Sequence, residues 1–177
     1  MENNEQIEKL KTGIRDIPNF PKSGILFKDI TPLLKNPELL RLSIDLFGNI
    51  LGDTKVDYVV GMESRGFIFG TALAYSLGAG FIPIRKPGKL PYHKKSISYS
   101  LEYGEDTLEI HEDAVEKGKK VIIVDDLLAT GGTASATYKL LDDMGADIVC
   151  AAFLIELSEL KGREKLSACK VVSLIKY

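Results

Sequence analysis

The segment from residue 121 to residue 133, VIIVDDLLATGGT, contains the side chains best suited to chemistry. Its apolar run leads into two adjacent carboxylates, Asp125 and Asp126, and then into a turn with two glycines and two threonines. Because ionised carboxylates only accept hydrogen bonds, the pair suits a sugar diol or a hydrated divalent cation. Glycine amides and the positive end of a following helix suit an anion such as a phosphate monoester. The segment therefore predicts one site with two chemically different ends.

A second group of candidates comes from the distribution of charge. The chain of 177 residues has 23 Lys and Arg against 25 Asp and Glu, a net charge of −2. A nucleic-acid-binding protein usually has a strong basic excess, so this balance argues against nucleic acid as a partner. Residues 85–101 nevertheless form an acid-free stretch, which favours an anionic ligand, with a solvated surface as the alternative. Its cations are Arg85, Lys86, Lys89, Lys94 and Lys95.

The elements that must position these residues follow a strand–loop–helix order from residue 56 onward. Nearly all-apolar strands that alternate with helices predict an α/β fold with a parallel sheet covered on both faces. In such a sheet, ligands bind beyond the carboxyl ends of the strands. Buried strands are predicted at 56–62, 81–85, 121–124, 148–155 and 171–175. Helices are predicted at 67–77 and 133–144, and a small antiparallel hairpin at 96–103 and 107–111.

The first part of the chain predicts a different organisation. Apolar residues at three- and four-residue spacing predict a helix over residues 4–17. Prolines then predict an irregular strap over residues 18–32. Asn36 followed by Pro37 predicts the start of a helix that ends at Gly52.

Length and the remaining motifs limit the class of protein. The length suits one domain, which is large enough for a core without disulfide or metal support. The N-terminus has no signal-like leader, and no run approaches the ~18 apolar residues that span a bilayer, so we expect a cytoplasmic protein without a membrane partner. Cys150 and Cys169 lack the spacing of a zinc or redox motif. No dinucleotide fingerprint, P-loop or GxSxG elbow occurs in the sequence.

Taken together, the motifs resemble those of the type I phosphoribosyltransferases, which bind phosphoribosyl pyrophosphate. DDLLATGGT is similar to their signature, and five further blocks follow in the family's order over nearly the whole chain: GILFKDITPLL, ESRGFIFG, IRKPGKLP, SYSLEYG and ELKGREKL. The resemblance implies a central parallel sheet flanked by helices, with a small N-terminal hood and a flexible antiparallel hairpin loop. It implies one domain over residues 1–177, with the hood at about 1–35 and the core at about 36–177.

The resemblance also implies a reaction and its participants. The blocks are most similar to those of the members that act on adenine, which implies attack of adenine N9 on C1′ of phosphoribosyl pyrophosphate. The products would be AMP and pyrophosphate, as in purine salvage. Mg²⁺ is the implied cofactor, held mainly by substrate oxygens and water without direct protein ligands. A homodimer is implied as well.

Site roles follow from the resemblance residue by residue. The acidic pair would hold the ribose hydroxyls, and the glycine turn would hold the 5′-phosphate. The acidic pair is Asp125 and Asp126, and the phosphate-binding residues are Ala129, Thr130, Gly131, Gly132 and Thr133. The implied pyrophosphate contacts are Arg65, Arg85, Lys89 and Tyr103.

Other residues would bind the purine and transfer its proton. Glu102, in SLEYG, is the implied proton-transfer residue near N7. Family members that act on 6-oxopurines have an aspartate where this chain has Ala129, so another carboxylate must serve the base here, and Glu102 is the candidate. The backbone of Leu26 and Lys28 would read the base edge, and Leu127 would pack on the ring. Lys28 stands where many relatives have arginine.

Three other functions stay open at this point. The chain could be a phosphoribosyltransferase for another base, such as xanthine or hypoxanthine, which rates with each free base would distinguish. A non-catalytic sensor of phosphoribosyl pyrophosphate is disfavoured by the single-domain length and the net charge. A pyrophosphokinase-like protein is disfavoured because the sequence has no ATP loop.

Overall fold

The computed structural model describes residues 2–52, 54–100 and 104–177. The helices are α1 (Glu2–Lys11), α2 (Thr31–Lys35), α3 (Pro37–Leu51), α4 (Gly66–Leu77) and α5 (Gly132–Asp143). The strands are β1 (Arg15–Pro18), β2 (Leu26–Asp29), β3 (Tyr58–Met62), β4 (Gly80–Ile84), β5 (Lys94–Ser100), β6 (Glu105–His111), β7 (Lys120–Leu128), β8 (Asp147–Glu156) and β9 (Val171–Lys176). Two short 3₁₀ helices, Ser158–Leu160 and Gly162–Leu166, lie between β8 and β9.

A five-stranded parallel sheet in the order β4-β3-β7-β8-β9 forms the centre of the molecule. One face packs against α3 and α4, where Phe47 and Phe69 are buried. The other face packs against α5 and the β5–β6 hairpin, where Leu140 and Leu108 are buried. The strands are nearly all apolar because both faces are covered, which confirms the predicted fold class. Across the described residues, no helix has the length and apolar character to cross a membrane.

The prediction of a helix over residues 4–17 is wrong beyond Lys11, where α1 ends. At Gly13 the chain passes so close to α2 and α3 that a Cβ atom would lie 2.6 Å from Leu39 Cδ1 and 3.0 Å from Leu33 Cα. A larger residue would require Leu39 and the backbone at Leu33 to shift, and the chain turns at this contact and enters β1. The apolar spacing continues past the turn, although the helix does not.

The segment predicted to be an irregular strap, residues 18–32, contains a strand. β2 pairs antiparallel with β1, with Arg15 opposite Asp29 and Pro18 opposite Leu26. The Arg15 guanidinium donates two hydrogen bonds to the Asp29 carboxylate, at 2.6 and 3.0 Å. The hairpin is therefore held at its open end by an ion pair between residues far apart in the sequence.

The predicted start and end of α3 are confirmed. The Asn36 side chain accepts hydrogen bonds from the amides of Glu38 and Leu39, at 2.9 and 3.2 Å, which satisfies two donors that a helix start leaves free. At the other end, Gly52 has a φ of +54°, a conformation that favours glycine.

The predicted hairpin is confirmed as a separate two-stranded sheet of β5 and β6. Its second strand is joined to the chain after β4 by two backbone hydrogen bonds between Arg85 and Glu109, at 2.9 and 2.8 Å. Glu102 and Tyr103, which follow β5 in the sequence, lie outside the described residues.

Candidate active site

Asp125 and Asp126 lie near the carboxyl end of β7. The sequence indicated a strand that ends at residue 124, but β7 continues to Leu128, so both carboxylates belong to the strand. The strand is longer because β8 runs on beside it, with Asp125 opposite Phe153. The acidic pair is therefore held by two neighbouring strands instead of by a loop.

The two carboxylates lie next to each other, with Asp126 buried and Asp125 partly buried. Asp126 is only 5% exposed, and its amide donates a hydrogen bond to Oδ1 of Asp125 at 2.9 Å. Arg65, just before α4, places its Nε 2.7 Å from Oδ2 of Asp126. Burial raises the pKa of Asp126, and the Arg65 charge offsets this only in part. Burial and the neighbouring Asp126 charge raise the pKa of Asp125 well above its usual range, so hydroxyl donors or a cation would stabilise the pair.

Gly66, the first residue of α4, allows the start of that helix to approach the acidic pair. A Cβ atom at Gly66 would lie 2.8 Å from the Val124 carbonyl oxygen and 2.9 Å from Oδ1 of Asp125. Any larger residue would push α4 away from β7. The sequence analysis did not single out Gly66 for this role, although it is part of the ESRGFIFG block.

The turn over residues 129–133 joins β7 to α5. Gly131 has a φ of +75°, which favours glycine, and α5 begins at Gly132. The first amides of a helix have no partner within the helix, so they are available to a ligand at this turn. The turn lines a cavity of about 90 Å³ together with Asp125 and Leu127. The structure therefore brings the anion-suited turn and the first carboxylate together.

The Glu63 carboxylate pairs with two of the cations that were predicted to bind a pyrophosphate, Arg85 and Lys89. Glu63, in the loop after β3, accepts hydrogen bonds from Arg85 Nε at 3.1 Å and from the Lys86 amide at 2.9 Å, and forms an ion pair with Lys89. Burial alone would raise the pKa of Glu63, but these hydrogen bonds outweigh it and lower the pKa to about 2. The sequence analysis missed Glu63, and the available signal was its position in the ESRG block beside Arg65.

Other acids neutralise further cations of the acid-free stretch. Lys94 pairs with Glu109 at 2.8 Å, and the same carboxylate accepts a hydrogen bond from the Gly88 amide at 3.0 Å. Lys86 forms an ion pair with Asp106. Residues 85–101 therefore contain no acidic residue themselves, but in the folded chain the carboxylates of β6 lie beside them and pair with their lysines.

Tyr99 connects the hairpin to the glycine turn. Its hydroxyl lies 3.0 Å from Oγ1 of Thr133 and donates to Asp106 at 3.1 Å. Burial raises the pKa of Tyr99, so the phenol remains protonated at neutral pH. β5 is thereby held against the start of α5, a contact that sequence reasoning did not find.

A larger cavity, of about 500 Å³, lies between β2 and the glycine turn. Its walls include Leu26 and Lys28, whose backbone the sequence predicted to read a base, and Thr130 of the turn. Leu127, also predicted at the base, lines the smaller cavity. The remaining residues of the larger cavity are Gly24, Ile25, Leu157, Glu159, Leu160 and Tyr177.

The Lys28 side chain is occupied within its own chain. It is 8% exposed, forms an ion pair with Asp16 at 2.7 Å, and places its Nζ 3.8 Å from the centre of the Tyr177 ring. The charged end therefore points to β1 and the C-terminus. Lys28 is nevertheless one of the residues that line the larger cavity.

Comparison with known proteins identifies the family. A model described as the phosphoribosyl transferase domain matches residues 29–176, which include the acidic pair, the glycine turn and the loop with Arg65. The chain belongs to the phosphoribosyltransferase family. The predicted resemblance is confirmed.

Relatives of this phosphoribosyltransferase match it over nearly its whole length. The adenine phosphoribosyltransferase of Trichodesmium erythraeum is 57% identical over 169 residues, which cover 96% of this chain and 99% of the relative. The crystal structure of adenine phosphoribosyltransferase from Thermoanaerobacter pseudethanolicus has a TM-score of 0.94 at 52% identity and covers 97% of this chain and 99% of its own. The Saccharomyces cerevisiae enzyme, complexed with adenine and an imino-altritol bisphosphate, has a TM-score of 0.92 at 44% identity, with coverage of 97% and 99%.

Phosphoribosyltransferases of this family generally use Mg²⁺ with phosphoribosyl pyrophosphate. Among the residues that the structure describes, no three His, Cys, Asp or Glu side chains converge into a metal-binding cluster. Mg²⁺ usually keeps several waters and binds through one or two carboxylates together with substrate phosphates. As hydrogen-bond acceptors, the carboxylates of Asp125 and Asp126 suit the water molecules around such an ion.

Proposed function

We propose that this phosphoribosyltransferase transfers the 5-phosphoribosyl group from phosphoribosyl pyrophosphate to N9 of adenine, giving AMP and pyrophosphate in purine salvage. One arrangement carries the proposal: the acidic pair and the glycine turn run together from β7 into α5, and Arg65 joins them from a second loop, 2.7 Å from Asp126. Relatives named for adenine, at 57% and 52% identity, support this base over others. Ala129 supports it too, because 6-oxopurine members have an aspartate there.

The ribose 5-phosphate part of the substrate lies along β7 and the turn. Asp125 and Asp126 accept hydrogen bonds from the ribose hydroxyls, which relieves the repulsion between the two buried carboxylates. The 5′-phosphate lies against the turn, where backbone amides, two threonine hydroxyls and the positive end of α5 meet it. The residues of this phosphate site are Ala129, Thr130, Gly131, Gly132 and Thr133.

The leaving pyrophosphate is stabilised by cations. Negative charge develops on it as the bond to C1′ breaks, and cations already in place stabilise that charge. Glu63 holds Arg85 and Lys89 side by side before the substrate arrives. When bound, Mg²⁺ held mainly by substrate oxygens and water would supply further positive charge to the same anion. The pyrophosphate contacts are Arg65, Arg85, Lys89 and Tyr103.

Adenine lies in the larger cavity, next to β2. Backbone groups of Leu26 and Lys28 read its edge, and Leu157 of the same cavity packs on the ring. Leu127, which lines the neighbouring smaller cavity, packs on the ring from that side. A backbone carbonyl that accepts from the 6-amino group would face an oxygen in hypoxanthine or guanine. Two acceptors would then oppose each other without a hydrogen bond, which is costly in a buried site and selects against 6-oxopurines.

Glu102 serves as the proton-transfer residue near N7 of the purine. Ala129 cannot fill that role, and in the sequence Glu102 comes two residues after β5, the strand that Tyr99 holds against the turn. A positioned acid or base contributes about 10²–10⁴-fold to the rate. The catalytic set is therefore Glu102, Arg65, Arg85 and Lys89.

We propose further that the enzyme acts as a homodimer. Tyr75 is 91% exposed and Ile68 is 42% exposed, and their seven-residue spacing places both on one face of α4. Burial of such side chains against a second copy would be favourable. Sedimentation velocity distinguishes the 19.5 kDa chain from a species of twice that mass, and a single 19.5 kDa species would exclude the dimer.

The cytoplasm is the location we propose. Cys150 and Cys169 are free thiols, in keeping with a reducing compartment. Fractionation of cells that express the chain should recover it with cytoplasmic markers, and recovery with secreted proteins would contradict this location.

A comparison of reaction rates with different purine bases tests the proposed function. Steady-state rates are measured with phosphoribosyl pyrophosphate, Mg²⁺ and each of adenine, hypoxanthine, guanine and xanthine. We expect kcat/KM to be highest for adenine by at least about 100-fold, as for a site whose buried polar groups match one substrate. A higher kcat/KM for any 6-oxopurine would overturn the choice of base and leave the family assignment intact.

A further inference from the structure

The segment ELKGREKL, residues 159–166, packs against the glycine turn, and the two backbones touch at glycines. A Cβ atom at Gly162 would lie 2.9 Å from the Gly131 amide nitrogen and still closer to the Ala129 carbonyl oxygen. A Cβ atom at Gly131 would in turn collide with the Gly162 carbonyl oxygen. Real Cβ atoms essentially never approach such atoms within 3.0 Å. The contact therefore exists only because both residues lack a side chain.

The 3₁₀ helix Gly162–Leu166, which contacts the turn, is anchored to the sheet. Arg163 donates to both carboxylate oxygens of Glu156, at 3.0 and 2.6 Å, and to the Val171 carbonyl at 2.7 Å. The Glu156 side chain is 7% exposed, and Leu166, at the end of the same 3₁₀ helix, is 2% exposed. Gly162 therefore cannot move back from the turn without disturbing a buried ion pair and the core.

We propose that Gly162 is a positioning residue that sets the conformation of the turn 129–133 for the 5′-phosphate. The inference rests on the proposed function, which places that phosphate on the turn. The amides of the turn converge on one anion only if its backbone stays in place, and Gly162 is in close contact with the backbone of Ala129 and Gly131. The methyl group added by Gly162→Ala would displace the turn from this position. A misplacement of about 1 Å in a site can cost on the order of 100-fold.

The test compares Gly162→Ala with Gly48→Ala as a matched control. Gly48 lies inside α3, where a Cβ atom meets nothing within 4 Å, so the same added methyl group is tolerated there. Isothermal titration calorimetry gives the Kd of each protein for ribose 5-phosphate, which carries the 5′-phosphate, and for adenine, which does not.

For Gly162→Ala we expect the Kd for ribose 5-phosphate to rise at least about tenfold, with little change for adenine. We expect Gly48→Ala to bind both ligands like the wild type. An unchanged Kd for ribose 5-phosphate, or an equal loss for both ligands, would overturn the inference. A wild-type chain that does not bind ribose 5-phosphate would instead overturn the proposed function, so the two failures are distinguishable.

Arg163→Lys provides the second variant, in case Gly162→Ala does not fold. It keeps the charge and Gly162 but loses the paired hydrogen bonds to Glu156, because lysine cannot reproduce the planar fork of arginine. We expect a severalfold rise in the Kd for ribose 5-phosphate and little change in the Kd for adenine. Wild-type affinity for ribose 5-phosphate in this variant would show that the pairing of Arg163 with Glu156 does not help to hold the turn in its binding conformation.

Discussion

Arg65 lies 2.7 Å from Asp126, so a cation assigned to the pyrophosphate is paired with a carboxylate assigned to the ribose. The same guanidinium stands 5.6 Å from the centre of the Phe27 ring on β2. Arg65 thereby connects the loop after β3, the acidic pair on β7 and the hairpin beside the larger cavity. The pairing also prevents Asp126 from being a buried charge without a partner, a strongly destabilising situation.

Arg65→Gln should slow the reaction strongly. The variant loses the cation that we propose stabilises the leaving group, and it leaves Asp126 without its partner. Removal of one such group from a preorganised site typically lowers kcat by about 10²–10³-fold. The measurement is steady-state AMP formation at saturating substrates.

Arg41→Gln is the control for that variant, because Arg41 is an exposed arginine on α3. It should retain wild-type kcat. Equal activity of Arg65→Gln and Arg41→Gln would remove Arg65 from the catalytic set.

Glu63 predicts a pH-dependent stability. Its pKa is lowered from 4.5 to about 2, so its pairing stabilises the folded chain above the unfolded pKa and is lost as pH falls through the folded pKa. Glu63→Gln should be less stable than wild type at pH 7, and this difference should shrink as pH falls from 4.5 toward 2. Urea unfolding at pH 7, 4.5 and 3 gives the free energies.

The exposed Glu112 serves as the matched control, since Glu112→Gln also removes one carboxylate charge. Its free energy of unfolding should follow wild type at every pH. A difference between Glu63→Gln and wild type that stays constant from pH 7 to pH 3 would show that the carboxylate charge is not what stabilises this loop.

Glu102→Gln should separate proton transfer from binding. The amide keeps the size of the side chain but cannot exchange a proton, so kcat should fall by about 10²–10⁴-fold. The Kd for phosphoribosyl pyrophosphate should stay near the wild-type value. Glu105→Gln, an exposed glutamate at the start of β6, is the control. Near wild-type turnover in Glu102→Gln would exclude the role.

Tyr99→Phe should loosen the hairpin from the glycine turn. The substitution removes the hydroxyl that lies 3.0 Å from Thr133 Oγ1, an interaction of about 1 kcal/mol. We expect faster trypsin cleavage after Lys94 and Lys95 and a severalfold higher KM for phosphoribosyl pyrophosphate. Tyr92→Phe, which loses an exposed hydroxyl close to the same lysines, should behave like wild type. Identical cleavage rates in the two variants would show that this contact does not hold the hairpin.

The parallel sheet and α3 could be predicted from the sequence because their signals are local. The Asn36 side chain caps the amides two and three residues further along the chain, and the apolar runs reflect burial on both faces. The end of α1 could not be predicted in this way. Gly13 is determined by Leu39, a residue that comes close only after α3 has packed.

The residues of the site likewise fall into those with a local sequence signal and those whose contacts form only in the folded chain. Asp125, Asp126 and the turn are contiguous in the sequence, so their chemistry could be predicted together. Glu63 and Gly162 could not be assigned a role from the sequence, because each acts through residues that are distant along the chain. Glu63 meets its cations across the gap between two loops, and Gly162 meets the turn through backbone atoms. Neither contact leaves a pattern in the local sequence.

Product analysis tests the central claim most directly. The purified wild-type chain is incubated with adenine, phosphoribosyl pyrophosphate and Mg²⁺, and AMP and pyrophosphate are quantified by chromatography over time. We predict that AMP and pyrophosphate appear in equal amounts and only when both substrates are present. Absence of AMP under these conditions, with the chain folded and both substrates intact, would contradict the account.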